Sequence, residues 1–112
     1  MEQLQLLLVD NDRLFLESIG DALTREGYEV SLIGNGARAL EEMSKRSFDL
    51  IITDLVLKDM HGFELLEFAK ARDSATLVIL LTGYGDPDSI ISALRNDADD
   101  YIIKPVRTRD LF

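Results

Sequence analysis

Four residues that could take part in chemistry each stand directly after an apolar run. They are Asp10 after Leu-Leu-Leu-Val, Asp54 after Leu-Ile-Ile-Thr, Thr82 after Val-Ile-Leu-Leu and Lys104 after Tyr-Ile-Ile. A carboxylate can attack phosphorus and form an aspartyl phosphate. The charge on the transferring phosphoryl group is then stabilised by a divalent cation, an ammonium group and a hydroxyl donor. Two carboxylates, a hydroxyl and an ammonium group match the inventory of such a phosphoryl-transfer site.

Each of these residues also has an ordinary explanation. Asp10 could shape a turn, Thr82 could cap a loop, and Lys104 could be a surface charge before the proline that ends its strand. Asp54 is more informative, because a buried carboxylate is costly unless partners neutralise it. Four such residues at four strand ends are much harder to explain in this way.

An alternation of strands and helices would bring the four residues together. Apolar runs predict strands over residues 4–9, 29–33, 50–53, 77–81 and 101–103, the second of them at an edge of the sheet. Strict alternation with helices implies parallel strands joined by right-handed crossovers, with helices on both faces. The predicted fold is an open, doubly wound α/β sheet of the flavodoxin-like type, with strand order 2-1-3-4-5.

The first helix has clear signals at both ends. It is predicted to begin at Arg13, with Asp12 as its N-cap, and to stop at Gly27. Residues at helical spacing predict a buried face made of Leu14, Phe15, Ile19, Ala22 and Leu23.

Later helices are predicted over residues 37–46 and 62–72. A fourth follows Asp86-Pro87, with proline in the first helical position, and buries Ile90, Ile91 and Leu94. A last helix would begin near Thr108, and it is expected to be truncated because the sequence ends at Phe112.

Parallel strands place their carboxyl ends at one edge of a sheet, which is where open α/β sheets bind ligands. We therefore expect Asp10, Asp54, Thr82 and Lys104 in one crevice. Clustered carboxylates there invite a shared proton or a hard divalent cation. Magnesium suits a few carboxylates together with water and a phosphate oxygen.

The composition indicates a single acidic domain. The chain has 112 residues, of which 21 are acidic and 12 basic, so its formal charge is −9. Such a surface repels phosphate backbones, and direct nucleic-acid binding is not expected. No apolar run approaches the roughly 20 residues of a membrane span, and the N-terminus lacks the basic stretch of a signal peptide. We expect a cytoplasmic protein whose residues 1–112 form one domain, with no output domain in this chain.

The sequence resembles the receiver domain of two-component response regulators. Four motifs carry the resemblance in order: Leu-Leu-Leu-Val-Asp-Asn-Asp at 6–12, Asp-Leu-Val-Leu-Lys-Asp-Met-His-Gly at 54–62, Leu-Leu-Thr-Gly-Tyr-Gly-Asp at 80–86, and Ala-Asp-Asp-Tyr-Ile-Ile-Lys-Pro at 98–105. Each motif alone is modest, but four at the expected spacings are specific. The resemblance implies a signalling switch that is not an enzyme in the usual sense, although it assists its own phosphorylation and dephosphorylation.

The resemblance also implies a role for each site residue. Asp54 would accept a phosphoryl group from a histidine kinase or phosphotransfer protein. Magnesium would be held by Asp10, Asn11, Asp54 and the backbone carbonyl of Val56.

Lys104 would pair with the phosphoryl group. Two further residues would act as the switch: Thr82 would move toward the phosphoryl group, and Tyr101 would swing inward behind it. The surface of helix four and strand five would then change, offering a face for a homodimer or an output partner.

Asn11 and Lys58 depart from the family pattern. Asn11 stands where a second acid is usual, which predicts weaker magnesium binding than at a site with two acids there. Lys58 stands where proline is common, which predicts a looser loop after Asp54. His61, the only histidine, is expected in a solvent-facing loop, without a role as ligand or base.

Two alternatives remain open at this point. Asp10-Asn11-Asp12 also fits the nucleophile motif of haloacid-dehalogenase-like phosphatases, with Asp10 as nucleophile and Asp12 as general acid. A further alternative is a pseudo-receiver, an interaction module that is never phosphorylated, although Asp54, Thr82 and Lys104 count against it. The residue that becomes phosphorylated, Asp54 or Asp10, distinguishes the receiver from the phosphatase.

Overall fold

Apolar runs and turn residues alternate along the chain, and they form the expected strands and helices. The structure, a computed structural model, describes residues 3–83 and 98–104. Strands β1 to β5 span Gln5–Val9, Glu29–Ile33, Leu50–Asp54, Leu77–Thr82 and Asp100–Ile103, and helices α1 to α3 span Arg13–Arg25, Gly36–Lys45 and Gly62–Arg72. The predicted fourth helix, with Asp86-Pro87, Ile90, Ile91 and Leu94, and the predicted last helix near Thr108 lie outside the described residues.

The strands form one parallel sheet in the order β2-β1-β3-β4-β5, which confirms the predicted topology. Val9 of β1 pairs with Thr53 of β3. Asp10 follows Val9 and Asp54 follows Thr53, so these two residues lie at the same level of the sheet. Thr82 pairs with Ile103, so Lys104 follows one step beyond.

Successive residues of each central strand point to opposite faces, which gives the sheet two cores. Leu7 and Val9 belong to a cluster covered by α2 and α3. Leu6 and Leu8 belong to a second cluster, on the opposite face, which α1 covers. Burial on both faces explains why β1 and β3 are nearly continuous apolar runs.

The predicted buried face of α1 is wrong at one residue. Leu14 is 78% exposed, whereas Leu16, which was not predicted, is buried with Ile19 and Leu23. An α-helix turns about 100° per residue, so Leu14 and Leu16 lie on nearly opposite sides of the helix. The stripe that includes Ile19 and Leu23 contains position 16 and excludes position 14.

Each helix begins at a polar side chain that accepts hydrogen bonds from its first turn. Asp12 caps α1 as predicted, and Asn35 caps α2, which starts one residue earlier than predicted. His61 caps α3 by accepting from the Phe63 N–H, and Glu64 completes a capping box. His61 is exposed as expected, but it has this structural role, which the sequence analysis missed.

The described helices also bear on membrane association. In residues 3–83 and 98–104, none of them has the length and apolar character needed to cross a membrane.

Candidate functional site

Three charged side chains from three strands meet at the carboxyl edge of the sheet. The Nζ atom of Lys104 donates to Oδ2 of Asp10 at 2.7 Å and to Oδ2 of Asp54 at 3.2 Å. Asp10 is only 1% exposed, and its other oxygen, Oδ1, accepts from the Asp12 N–H at 2.8 Å. The convergence of Asp10, Asp54 and Lys104 therefore occurs as the predicted topology requires.

Burial and charge oppose each other at this cluster. Burial raises the pKa of the Asp54 carboxyl above 3.8; the charge of Lys104 lowers this pKa and that of Asp10 raises it. For Lys104, burial acts to lower the pKa, but the hydrogen bond to Asp10 and the two carboxylate charges outweigh it, so the pKa lies above 10.5. The cluster keeps Lys104 charged and makes ionised Asp54 costly.

Phe15 lies beside the cluster and contacts the ammonium group of Lys104. The Nζ atom of Lys104 is 4.9 Å from the centroid of the Phe15 ring, which is within cation–π range. Phe15 was predicted as a core residue, and it is partly buried. Its position at the end of α1 nearest the sheet edge gives it this second contact, which helical spacing alone does not reveal.

Thr82 ends β4 next to Lys104. Its carbonyl oxygen accepts from the Lys104 N–H at 2.7 Å, and its side chain is nearly enclosed, with the residue 2% exposed. Within the part of the chain that the structure describes, the Thr82 hydroxyl has no hydrogen-bond partner. A buried hydroxyl without a partner is uncommon, and it leaves a donor available to a ligand.

Tyr101 lies on β5 and is half-buried against the core under α2 and α3. Its backbone pairs with Leu80. The structure thus positions the predicted switch residue between the sheet core and solvent.

Asn11 uses both ends of its amide for contacts with other loops. Its Oδ1 atom accepts from the backbone N–H of Lys58 at 2.7 Å, and its Nδ2 atom donates to the Gly34 carbonyl at 2.8 Å. Lys58 lies in the loop after Asp54, residues 55–61, which is predicted to be looser than in the family. In this β3–α3 loop the Lys58 N–H forms an anchor to Asn11.

The β3–α3 loop has a second anchor at Asp59. Its Oδ1 and Oδ2 atoms accept from the N–H groups of Gly36 and Ala37, each at 2.9 Å. These hydrogen bonds to the N-terminus of α2 hold the pKa of Asp59 below 3.8. The sequence analysis missed Asp59, because no local pattern signals a cap supplied by another loop.

Gly62 closes the β3–α3 loop against the strand it follows. Its N–H donates to the Leu55 carbonyl at 2.6 Å, and a Cβ at position 62 would lie 2.5 Å from the Asp54 carbonyl oxygen. Only glycine fits this approach without moving the backbone. Val56, which lies between Leu55 and Gly62 in the sequence, is 66% exposed.

The oxygen ligands at this edge fit a magnesium ion that is bound by only one or two carboxylates. Within residues 3–83 and 98–104, no group of three or more His, Asp or Glu side chains could hold a metal. Magnesium, however, is commonly bound by one or two carboxylates with water and phosphate oxygens. Asp10 and Asp54 supply two hard, negatively charged ligands, whereas the Asn11 oxygen is already engaged by Lys58.

The sequence matches a known protein family. The family model for the response regulator receiver domain matches residues 6–112. The chain belongs to this family. Receiver domains are the signalling domains of two-component systems and are not conventional enzymes.

Curated relatives of this receiver domain are longer response regulators. The transcriptional regulatory protein ZraR of Klebsiella oxytoca is 35% identical over 105 residues, which cover 94% of this chain and 24% of that protein. The DNA-binding response regulator MtrA of Mycobacterium tuberculosis H37Rv is 33% identical over 107 residues, which cover 96% of this chain and 46% of that protein. The chain thus spans about a quarter to a half of the length of these relatives.

Solved receiver structures share the fold closely. The CheY-like receiver domain protein of Methanospirillum hungatei JF-1 has a TM-score of 0.92 at 36% identity, covering 98% of this chain and 88% of that chain. A response regulator of Burkholderia pseudomallei, solved with a phosphorylated aspartic acid, a calcium ion and citrate, has a TM-score of 0.89 at 25% identity, covering 98% of this chain and 64% of that chain.

Family membership favours the receiver over the phosphatase interpretation. The contacts of Asp12 agree with this choice. Its Oδ1 atom accepts from the N–H groups of Leu14 and Phe15 at 3.0 and 3.2 Å. Asp12 therefore acts as the N-cap of α1.

Proposed function

We propose that this receiver domain is a phosphorylation-dependent switch in which Asp54 accepts a phosphoryl group from a histidine kinase or phosphotransfer protein. The observation that carries the proposal is the position of the Lys104 ammonium group, 3.2 Å from Oδ2 of Asp54 and 2.7 Å from Oδ2 of Asp10. Asp54 is the more accessible of the two carboxylates, with its side chain 19% exposed against 2% for Asp10.

The transfer step follows from the chemistry of a carboxylate nucleophile. An Oδ atom of Asp54 forms a bond to phosphorus while the bond from phosphorus to the donor histidine nitrogen breaks, and the imidazole keeps that electron pair. The product is an acyl phosphate on Asp54. Since burial raises the pKa of Asp54, the positive charge of Lys104 helps to keep the nucleophile ionised.

Lys104 and Thr82 would stabilise the transferred group. Lys104 is already within hydrogen-bond range of the acceptor oxygen, so its ammonium group can follow negative charge onto the phosphoryl oxygens with little rearrangement. The Thr82 hydroxyl, which has no partner among the described residues, can donate to the same group. The contact between them through the Thr82 carbonyl and the Lys104 N–H couples their positions.

The magnesium ligands in this proposal are the carboxylates of Asp10 and Asp54 and the backbone carbonyl of Val56. When bound, Mg²⁺ supplies the positive charge that offsets the carboxylates and the incoming phosphoryl oxygens. The relative from Burkholderia pseudomallei, with its calcium ion and phosphorylated aspartic acid, supports a cation in this role.

The output would be a change in the surface around β5. One new dianionic group biases a two-state equilibrium when its contacts differ between the states. Movement of Thr82 toward the phosphoryl group and of Tyr101 into the space behind it would alter that surface, where a second copy or an output partner could dock. A formal charge of −9 disfavours direct contact with nucleic acid, so any DNA binding would belong to an attached domain.

Phosphorylation by acetyl phosphate tests the proposal. The wild type, incubated with acetyl phosphate and MgCl₂, should gain the mass of one phosphoryl group, and Asp54→Asn should gain none. Asp21→Asn, which alters an exposed residue on α1, is the matched control and should behave as the wild type. A wild type that stays unmodified would support the pseudo-receiver, and a phosphorylated Asp54→Asn variant would refute the assignment of Asp54.

A further inference from the structure

The side chain of Asn11 connects three loops at the carboxyl edge of the sheet. It follows β1, accepts from the Lys58 N–H in the β3–α3 loop and donates to the Gly34 carbonyl between β2 and α2. Both contacts, at 2.7 and 2.8 Å, have good hydrogen-bond lengths. An amide is suited to this task, because it offers an acceptor and a donor on one planar group.

We propose that Asn11 is a positioning residue that clamps the β3–α3 loop through the Lys58 N–H, in place of a direct role as a magnesium ligand. The proposal rests on the proposed function, since it concerns how the loop next to Asp54 is held for cation binding. Asn11 acts through Lys58, and its amide oxygen need not touch the reacting atoms.

The residue types at positions 11 and 58 depend on each other in this arrangement. A proline at position 58 would have no N–H to donate. A carboxylate at position 11 could accept from Lys58 but could not donate to the Gly34 carbonyl. The two departures from the family pattern therefore meet in one contact, which needs the N–H of Lys58, while the contact with Gly34 needs the amide of Asn11.

The clamp acts on the part of the loop that carries Val56. Lys58 is two residues from Val56, and the neighbouring residue, Asp59, is fixed to the Gly36 and Ala37 N–H groups. On the other side of Val56, the Leu55 N–H donates to the Leu81 carbonyl at 2.9 Å, so the backbone that carries Val56 is held at both ends. A carbonyl that is already oriented costs less conformational entropy when it binds a cation, so the clamp should raise magnesium affinity without supplying a ligand.

Hydrogen exchange at the Lys58 amide tests the contact directly, without magnesium. Asn11→Ala should speed exchange of this amide by about three- to tenfold, the range expected for one hydrogen bond. Asn11→Asp keeps the acceptor and should preserve protection, and Lys58→Ala keeps the N–H and should do the same. Equal protection in the wild type and Asn11→Ala would overturn the clamp.

A double-mutant cycle on magnesium affinity tests its functional role. Asn11→Ala and Lys58→Pro should each weaken Mg²⁺ binding by about three- to tenfold, and the double variant should be no weaker than either, because both remove the same contact. Lys58→Ala should bind as the wild type. Additive losses, or a loss confined to Asn11→Ala, would indicate a direct ligand and overturn the proposal.

The same samples separate this proposal from the proposed function. Thermal unfolding checks that each variant is folded, and if Lys58→Pro is not, the exchange rates of Asn11→Ala, Asn11→Asp and Lys58→Ala decide the matter. A wild type that is never phosphorylated by acetyl phosphate would refute the proposed function while the exchange data still report on the clamp. Normal phosphorylation with additive losses would refute the clamp alone.

Discussion

The Nζ atom of Lys104 lies 3.2 Å from Oδ2 of Asp54, a residue 50 positions away in the sequence. The same ammonium group is 2.7 Å from Oδ2 of Asp10. One cation therefore serves two carboxylates, and with Asp10 and Asp54 both ionised the cluster carries one excess negative charge. This imbalance suits a site that accepts a divalent cation, and it has consequences for stability that can be measured without any ligand.

Removal of the Asp54 charge should stabilise the fold at neutral pH. Because the pKa of Asp54 is raised above 3.8 in the folded state, folding stability decreases as the pH rises through that raised pKa. We expect Asp54→Asn to melt about 2–4 °C above the wild type at pH 7, on the order of 0.5 kcal/mol after solvent screening. Thermal unfolding in metal-free buffer measures this, and the difference should shrink as the pH falls toward 3.8. A less stable Asp54→Asn variant would contradict it.

Asp59, in the same loop, should respond in the opposite direction. Hydrogen bonds from Gly36 and Ala37 hold the pKa of Asp59 below 3.8, so its contribution to stability is present above pH 3.8 and is lost as the pH falls through the lowered value. Asp59→Ala should therefore lower the melting temperature at pH 7. Urea unfolding of Asp59→Ala beside Asp54→Asn provides the comparison, and an Asp59→Ala variant at least as stable as the wild type would show that the cap on α2 has no stabilising effect.

Gly62 should tolerate no side chain, whereas Gly34 should tolerate one. A Cβ at position 62 would lie 2.5 Å from the Asp54 carbonyl oxygen, but one at position 34 would have nothing within 4 Å among the described residues. Gly62→Ala should lose about 1–3 kcal/mol of unfolding free energy, and Gly34→Ala should change it by less than about 0.5 kcal/mol. Chemical denaturation measures both, and a Gly62→Ala variant as stable as Gly34→Ala would rule out the close approach.

An acid at position 11 should strengthen magnesium binding. Asn11→Asp adds a negative charge beside Asp10 and keeps an acceptor for the Lys58 N–H, so both charge and loop position favour the cation. We expect the dissociation constant for Mg²⁺ to fall severalfold relative to the wild type in a calorimetric titration at fixed ionic strength. Equal affinities would mean that a negative charge at this position does not strengthen magnesium binding.

The sequence predicted the sheet and the meeting of Asp10, Asp54 and Lys104, because strand periodicity and parallel topology determine which residues share an edge. It also predicted the helix cap at Asp12, which depends only on neighbouring residues. These features follow from local patterns combined with one topological rule.

Such patterns do not predict the contacts between loops. The hydrogen bonds of Asn11 and Asp59 depend on the paths of loops 20 or more residues apart, and no periodicity encodes those paths. The error at Leu14 has a different origin, since position 14 lies outside the helical stripe that contains the buried residues Leu16, Ile19 and Leu23. Sequence reasoning was therefore least complete where loops meet around the site.

The most direct test of the account is to locate the acyl phosphate. After incubation with acetyl phosphate and Mg²⁺, borohydride reduces an aspartyl phosphate to homoserine and releases phosphate, and tandem mass spectrometry of the peptides then identifies the reduced residue. We predict homoserine at position 54 and unmodified Asp10. Homoserine at position 10 with Asp54 intact would contradict the account and favour a phosphatase-like nucleophile.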